Sequence, residues 1–229
     1  MKLLTLAMAA AISVASARPA VVELFTSQGC SSCPPADAFV GELVQRSDVL
    51  PLTFHVDYWD ELGWQDRFEL PIAAQRQATY VRKLNLPSPY TPQFIVDGKI
   101  DLSGRHRTLL AQAIRAPIEA AVASLSIKGA QLLIEVGAGV SALPGDVVLV
   151  TYLSQAKTAI GRGENSGKSL HEFNIVRSFE ILGQWQGSAA QWHVNLQSLP
   201  KEADHAAVLI QIPGPGAILG AASVGLPRP

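Results

Sequence analysis

Both cysteines of this 229-residue chain fall in one tetrapeptide, Cys30-Ser31-Ser32-Cys33. Two thiols at this spacing can exchange a disulfide with another molecule or hold a soft metal ion. Exchange requires a thiolate. A free thiol with a pKa of about 8.5 is only about 3% ionised at pH 7, whereas one at about 7 is half ionised. A strand, a short break, the CxxC and then a helix is the layout that favours ionisation, because a helix N-terminus attracts an anion on the first sulfur. The second sulfur then lies near enough to resolve a mixed disulfide. Three plainer roles stay open: a structural staple, half of a metal site completed by distant histidines, and an inert pair. As a staple the loop is so short that the chain-entropy model gives only about 2 kcal/mol.

Other residues with chemical potential are more scattered. Thr91-Pro92 leads into a strand, where an X-Pro bond is either cis or an ordinary trans turn. Trp59, Trp64 and Phe68 suit a groove beside the sulfurs, or equally an aromatic core. Asp57, Asp60 and Asp66 are candidate proton acceptors, or acids at helix starts. His55, His106, His171, His193 and His205 show no metal-ligand spacing. No GxSxG nucleophile elbow occurs. The polar, Gly-rich stretch Gly161 to Lys168 reads as a surface loop, or as a segment folded over the cysteine face.

The elements that must position these groups are legible from local patterns. Val21 to Thr26 is a β-rich run broken by Ser27-Gln28-Gly29. Ala36 to Arg46 is helical, with Pro34 and Pro35 in its first turn. Because a residue before proline is driven out of the helical region, Cys33 is expected outside the regular helix. Val49 to Asp57 is a second strand. Asp60 to Leu84 reads as a helix interrupted by Pro71. Gln93 to Val96 and Lys99 to Leu102 flank Asp97-Gly98, a hairpin signal. Arg107 to Ala123 carries an apolar helical stripe that includes Leu110, Ile114, Ile118 and Val122. Beyond Ser124 the pattern changes to strands: Leu125 to Lys128, Leu132 to Val136, Val147 to Leu153, Thr158 to Ile160, Phe173 to Leu182, Ala190 to Leu196 and Ala207 to Gln211. Regular spacing with turn signals suggests a small β-sandwich.

The N-terminus reads as an export signal: Lys2, an apolar run from Leu3 to Val14, and Ala15-Ser16-Ala17 as a cleavage pattern. That run is too short to span a bilayer. The expected organisation is a signal peptide over 1–17, an α/β domain over 18–124 and a β-sandwich-like domain over 125–229. The expected location is the periplasm or outside the cell, with no stable membrane insertion after signal cleavage. Formal net charge is −1, so the chain has no basic surplus for nucleic acid.

The stretch Glu23-Leu24-Phe25-Thr26-Ser27-Gln28-Gly29-Cys30-Ser31-Ser32-Cys33-Pro34-Pro35-Ala36-Asp37 resembles a bacterial family of secreted thioredoxin-like proteins of unknown function. So do His55-Val56-Asp57-Tyr58-Trp59-Asp60, Leu62-Gly63-Trp64, Arg76-Gln77, Tyr90-Thr91-Pro92-Gln93, and Gly163-Glu164-Asn165 with Asn174-Ile175-Val176-Arg177. The resemblance implies an α/β thioredoxin-like domain followed by a mainly-β sandwich-like domain. It implies that Cys30 attacks, Cys33 resolves, and Pro92 is a cis-proline facing the pair. Thr91, Pro92, Trp59 and Trp64 are then the substrate-binding residues. Protein thiols or disulfides are the implied partners, and no cofactor is called for. One departure matters: Leu24 stands where thioredoxin carries a buried acid, and Glu23 should face the other side of the strand. The functional expectation is a thiol–disulfide oxidoreductase. The alternatives are a Cu(I)-binding module and a non-catalytic adaptor.

Overall fold

The computed structural model of the chain describes residues 18–115, 121–139 and 144–227. The expected 1–17 signal and positions 116–120 of the expected third helix lie outside them.

β1 (Ala20–Thr26) and β2 (Val49–His55) run parallel, with Thr26 opposite His55. A parallel pair needs a crossover, which α1 (Pro34–Leu43) supplies. Both strands are buried along their whole length, so their sequences show apolar runs rather than clean alternation. On one face Val22 and Leu24 meet Phe39, Val40 and Leu43 of α1. On the other, Val21 and Phe25 join Phe54 and Tyr80, the latter from α2 (Pro71–Lys83). Pro71 opens α2, where its missing N–H costs nothing. The long helix expected from Asp60 is therefore a single 3-10 turn at Asp60–Leu62, a loop, and then α2.

β3 (Gln93–Val96) pairs antiparallel with β1, and β4 (Ile100–Ser103) with β3. Asp97 and Gly98 turn this hairpin at φ +49° and +68°, the left-handed angles that the dipeptide favours. α3 (Arg107–Ile114) follows, and Ala123, the end of the helix expected here, lies in a strand instead.

The expected α/β thioredoxin-like domain followed by a separate β-sandwich does not form. The strand segments foreseen past residue 124 are strands, but they are grouped differently, and β11 (Ile218–Gly225) is an addition. β7 (Gly145–Ala159), β8 (Ser169–Trp185), β10 (His205–Gln211) and β11 extend the first sheet to eight strands. Its order is β11-β10-β7-β8-β2-β1-β3-β4. Only β5 (Ala123–Lys128), β6 (Gln131–Val136) and β9 (Ala190–Asn195) form a second, three-stranded sheet. The described chain is thus mostly β, with three α-helices.

An open edge on β2 would leave backbone N–H and C=O groups unpaired. β8 takes that edge in parallel, with Thr53 opposite Ile175. The Thr53 hydroxyl donates to the Phe173 carbonyl at 2.8 Å, and the Asn174 amide donates to the Pro51 carbonyl at 2.8 Å. The small sheet covers the extension through Leu132 and Ile134, packed with Val147, Leu149, Trp185 and Val208.

Candidate functional site

β1 ends at Thr26, and Ser27-Gln28-Gly29 carries the chain to Cys30. Gly29 lies against Trp59: a side chain there would start 3.1 Å from Trp59 Cβ. Cys30 and Cys33 are joined in a disulfide, with their Cα atoms 5.4 Å apart. The Cys33 N–H donates to the Cys30 carbonyl at 3.2 Å. Cys33 itself caps α1 with helical angles, φ −78° and ψ −37°. Its carbonyl accepts from the N–H groups of Ala36 (2.8 Å) and Asp37 (3.1 Å). Cys33 thus stands just outside the regular helix as expected, but Pro34 does not drive its backbone out of the helical region: these two bonds hold the pre-proline residue in place. Pro34 and Pro35 carry no N–H, so the first turn has fewer donors for a thiolate than the strand–loop–helix layout suggested. The Ser32 hydroxyl lies 3.3 Å from Cys30 Sγ. A disulfide sulfur has no hydrogen, so the hydroxyl donates.

Beneath the pair lies a buried polar cluster that sequence reasoning largely missed. Residues 26, 37, 55, 66 and 172 are each at most 4% exposed. The Thr26 hydroxyl donates to Asp37 Oδ1 at 2.9 Å. His55 Nδ1 lies 2.7 Å from Asp66 Oδ2, and its Nε2, which has no hydrogen-bond partner, is 3.8 Å from Glu172 Oε1. The Gln28 side-chain amide donates to Thr158 Oγ1 at 3.0 Å and to Glu172 at 2.9 Å.

Charge is distributed unequally in this cluster. Burial pushes the Asp37 carboxyl up to about 7, with the nearby Glu172 and Asp66 adding to the rise and His55 opposing it. Burial also disfavours a charged His55, but Asp66 and, more weakly, Glu172 and Asp37 overcome it and raise the imidazole to about 9. Asp66 is likewise penalised by burial, yet His55 and the N–H groups of Gln28 and Phe68 hold it below the usual carboxylate range. Glu172 is raised, mainly by burial. The cluster therefore holds a firm His55–Asp66 ion pair beside a carboxyl, Asp37, that exchanges its proton near neutrality. Asp37 follows Cys33 by four residues, which places both on one face of α1. Among the expected acceptors, Asp66 is committed to His55, while Asp60 is raised to about 7, chiefly by burial, and lies outside the cluster's core.

Both cysteines are wholly buried. The long β7–β8 hairpin reaches the cysteine loop with its tip, residues 160–168. The Asn165 side-chain amide donates to the carbonyls of Gln28 and Cys30, both at 2.9 Å. The two sequence readings of Gly161 to Lys168 both hold: the stretch is an exposed surface loop, and Asn165 ties it to the cysteine loop.

The remaining sequence candidates sit around this loop. The Thr91–Pro92 bond is cis. Gly104 is wedged between Pro92 and Ala36, its would-be Cβ 2.6 Å from Pro92 Cγ and 3.1 Å from Ala36 Cβ, so Pro92 stands at the first turn of α1. The Thr91 hydroxyl is buried with no partner. Trp59 packs against the core behind Gly29. Trp64 donates its Nε1–H to Gln28 Oε1 at 3.0 Å, and Gly161 and Gly163 of the hairpin tip rest on its ring and Cβ. Trp64 thus forms a floor for the tip. Phe68 packs edge-on against His55, with ring centroids 5.5 Å apart. Glu23 faces the opposite side of the sheet, paired with Arg76 at 2.5 Å. Among the described residues, no group of three or more His, Cys, Asp or Glu is placed to hold a metal ion.

Asp37 and His55 lie inside the quoted motifs, but nothing local marked them as buried together. Asn165 lies inside the quoted Gly163-Glu164-Asn165, and Glu172 was not singled out.

No curated protein matches the sequence. A crystal structure of a protein from Agrobacterium tumefaciens is similar over 90% of this chain and 93% of that one, with 31% identity and a TM-score of 0.80. HBP35 of Porphyromonas gingivalis is similar in fold, with 17% identity and a TM-score of 0.63, over 91% of this chain and 75% of that one. The profile described as "Protein of unknown function (DUF1223)" matches residues 21–211. The chain belongs to that family.

Proposed function

We propose that the protein is an exported thiol–disulfide oxidoreductase, related to the thioredoxin superfamily through its β1–CxxC–α1–β2 segment. The observation that carries this reading is the Cys30–Cys33 disulfide at the start of α1, with Asp37 buried on the same helical face. A staple requires no titratable carboxyl there, whereas exchange requires a group that takes and returns a proton.

In the reduced protein the Cys30 thiolate, stabilised by the Ser32 hydroxyl, attacks a partner disulfide. A mixed disulfide forms and one partner thiolate leaves. Asp37 takes the proton from Cys33, whose thiolate attacks Cys30 Sγ and releases the second partner thiolate. Two electrons pass to the partner, the Cys30–Cys33 disulfide forms, and Asp37 passes its proton to solvent. The same steps reversed oxidise a dithiol. Partners are protein thiols or disulfides in the periplasm or outside the cell, where a disulfide persists.

The test is reduction of a disulfide-bonded protein such as insulin by the reduced chain. Cys30→Ser is expected to abolish it with the fold intact by circular dichroism. A Cys30→Ser variant as active as wild type would remove the proposal.

A further inference from the structure

The hairpin tip is attached in an unusual way. Of residues 161–168, only Asn165 is buried, and the other seven are exposed. The neck of the tip is closed by backbone bonds from Ile160 to Lys168 at 2.9 Å and from Gly167 to Ile160 at 2.8 Å. Lys168 Nζ donates to Asn165 Oδ1 at 2.8 Å, which turns the amide nitrogen toward the cysteine loop. That nitrogen binds the carbonyls of Gln28 and Cys30. Glu164 adds a longer contact, accepting from the Ser31 N–H at 3.3 Å. No apolar side chain within 161–168 anchors the tip. Apart from the packing of Gly161 and Gly163 on Trp64, the tip is held by these few polar bonds, and a segment so held opens at lower cost than the sheet that carries it.

Resting on the reading of Cys30 and Cys33 as an exchanging pair, we infer that Asn165 is the latch of a gate over the disulfide. While it grips the Gln28 and Cys30 carbonyls, the cysteine loop is sealed, consistent with the complete burial of both sulfurs. A thiolate must approach a disulfide sulfur directly to react, so the latch has to release before exchange begins. Gly167, at φ +79°, is the position in the tip where the closed state is most easily disturbed from outside. A Cβ there meets nothing within 4 Å, but the backbone angle strains any L side chain. Gly167→Ala therefore weakens closure without touching the cysteine loop.

The experiment follows reduction of the oxidised protein's own disulfide by dithiothreitol, quenched with an alkylating reagent and read by mass. Asn165→Ala is expected to speed reduction on the order of tenfold, since two hydrogen bonds of ordinary strength are removed. Gly167→Ala is expected to speed it several-fold. Thermal melting of each variant checks that the sheet is intact. Wild-type rates in both folded variants would overturn the latch. This readout needs no protein partner, so it stands apart from the insulin assay: failure there with faster reduction here would sink the exchange activity and leave the gate.

Discussion

Replacing Asp37 by Asn removes a buried carboxyl whose pKa rises from 3.8 to about 7 on folding. A carboxyl with a raised folded pKa binds more protons in the native state than in the unfolded state, so its presence lowers stability as pH rises. For these two pKa values the penalty is about 0.5 kcal/mol at pH 4 and about 4 kcal/mol at pH 8, with nearly all of the change complete by pH 7. Asn cannot ionise and escapes the penalty, but it weakens the bond from Thr26, a loss of about 1 kcal/mol. Asp37→Asn should therefore be about 0.5 kcal/mol less stable than wild type at pH 4 and about 3 kcal/mol more stable at pH 8. His55 works on a different window: its folded pKa is raised, so its contribution is whole below 6.5 and lost as pH rises through about 9. Because both proteins contain His55, that loss largely cancels in the difference. Urea unfolding at pH 4, 6 and 8 with the disulfide intact measures the gap. A gap that stays constant with pH would refute the assignment of the titrating proton to Asp37. The same variant should lose the inflection near pH 7 in the rate of disulfide exchange, so stability is gained where proton transfer is lost.

Ser32→Ala removes the hydroxyl beside Cys30 Sγ. In the reduced protein this should raise the Cys30 thiol pKa by about one pH unit or less, as expected for one partly solvated hydrogen bond to a thiolate, and thiolate absorbance against pH would show it. Arg76→Met strands Glu23, which is wholly buried and whose carboxylate otherwise meets Arg76 and the Tyr80 hydroxyl. The expected cost is about 3–5 kcal/mol in urea unfolding, with the disulfide still formed.

The sequence by itself determined the features governed by a few neighbouring residues. The Asp97-Gly98 turn, the proline-started helix α1, the single CxxC and most strand segments follow from backbone preferences acting over about four residues. The side of the sheet that Glu23 faces follows from strand alternation. Tertiary structure alone decided which strands share a sheet. Thr53 bonds to Phe173, 120 residues away, and this join brings strands from both halves of the chain into one eight-stranded sheet. It also assembled the candidate site, because Gln28 reaches Glu172 across 144 residues and Asn165 reaches Cys30 across 135. No local preference encodes such contacts. They arise because an open strand edge and buried polar groups must find partners, and those partners are set by how the whole chain packs.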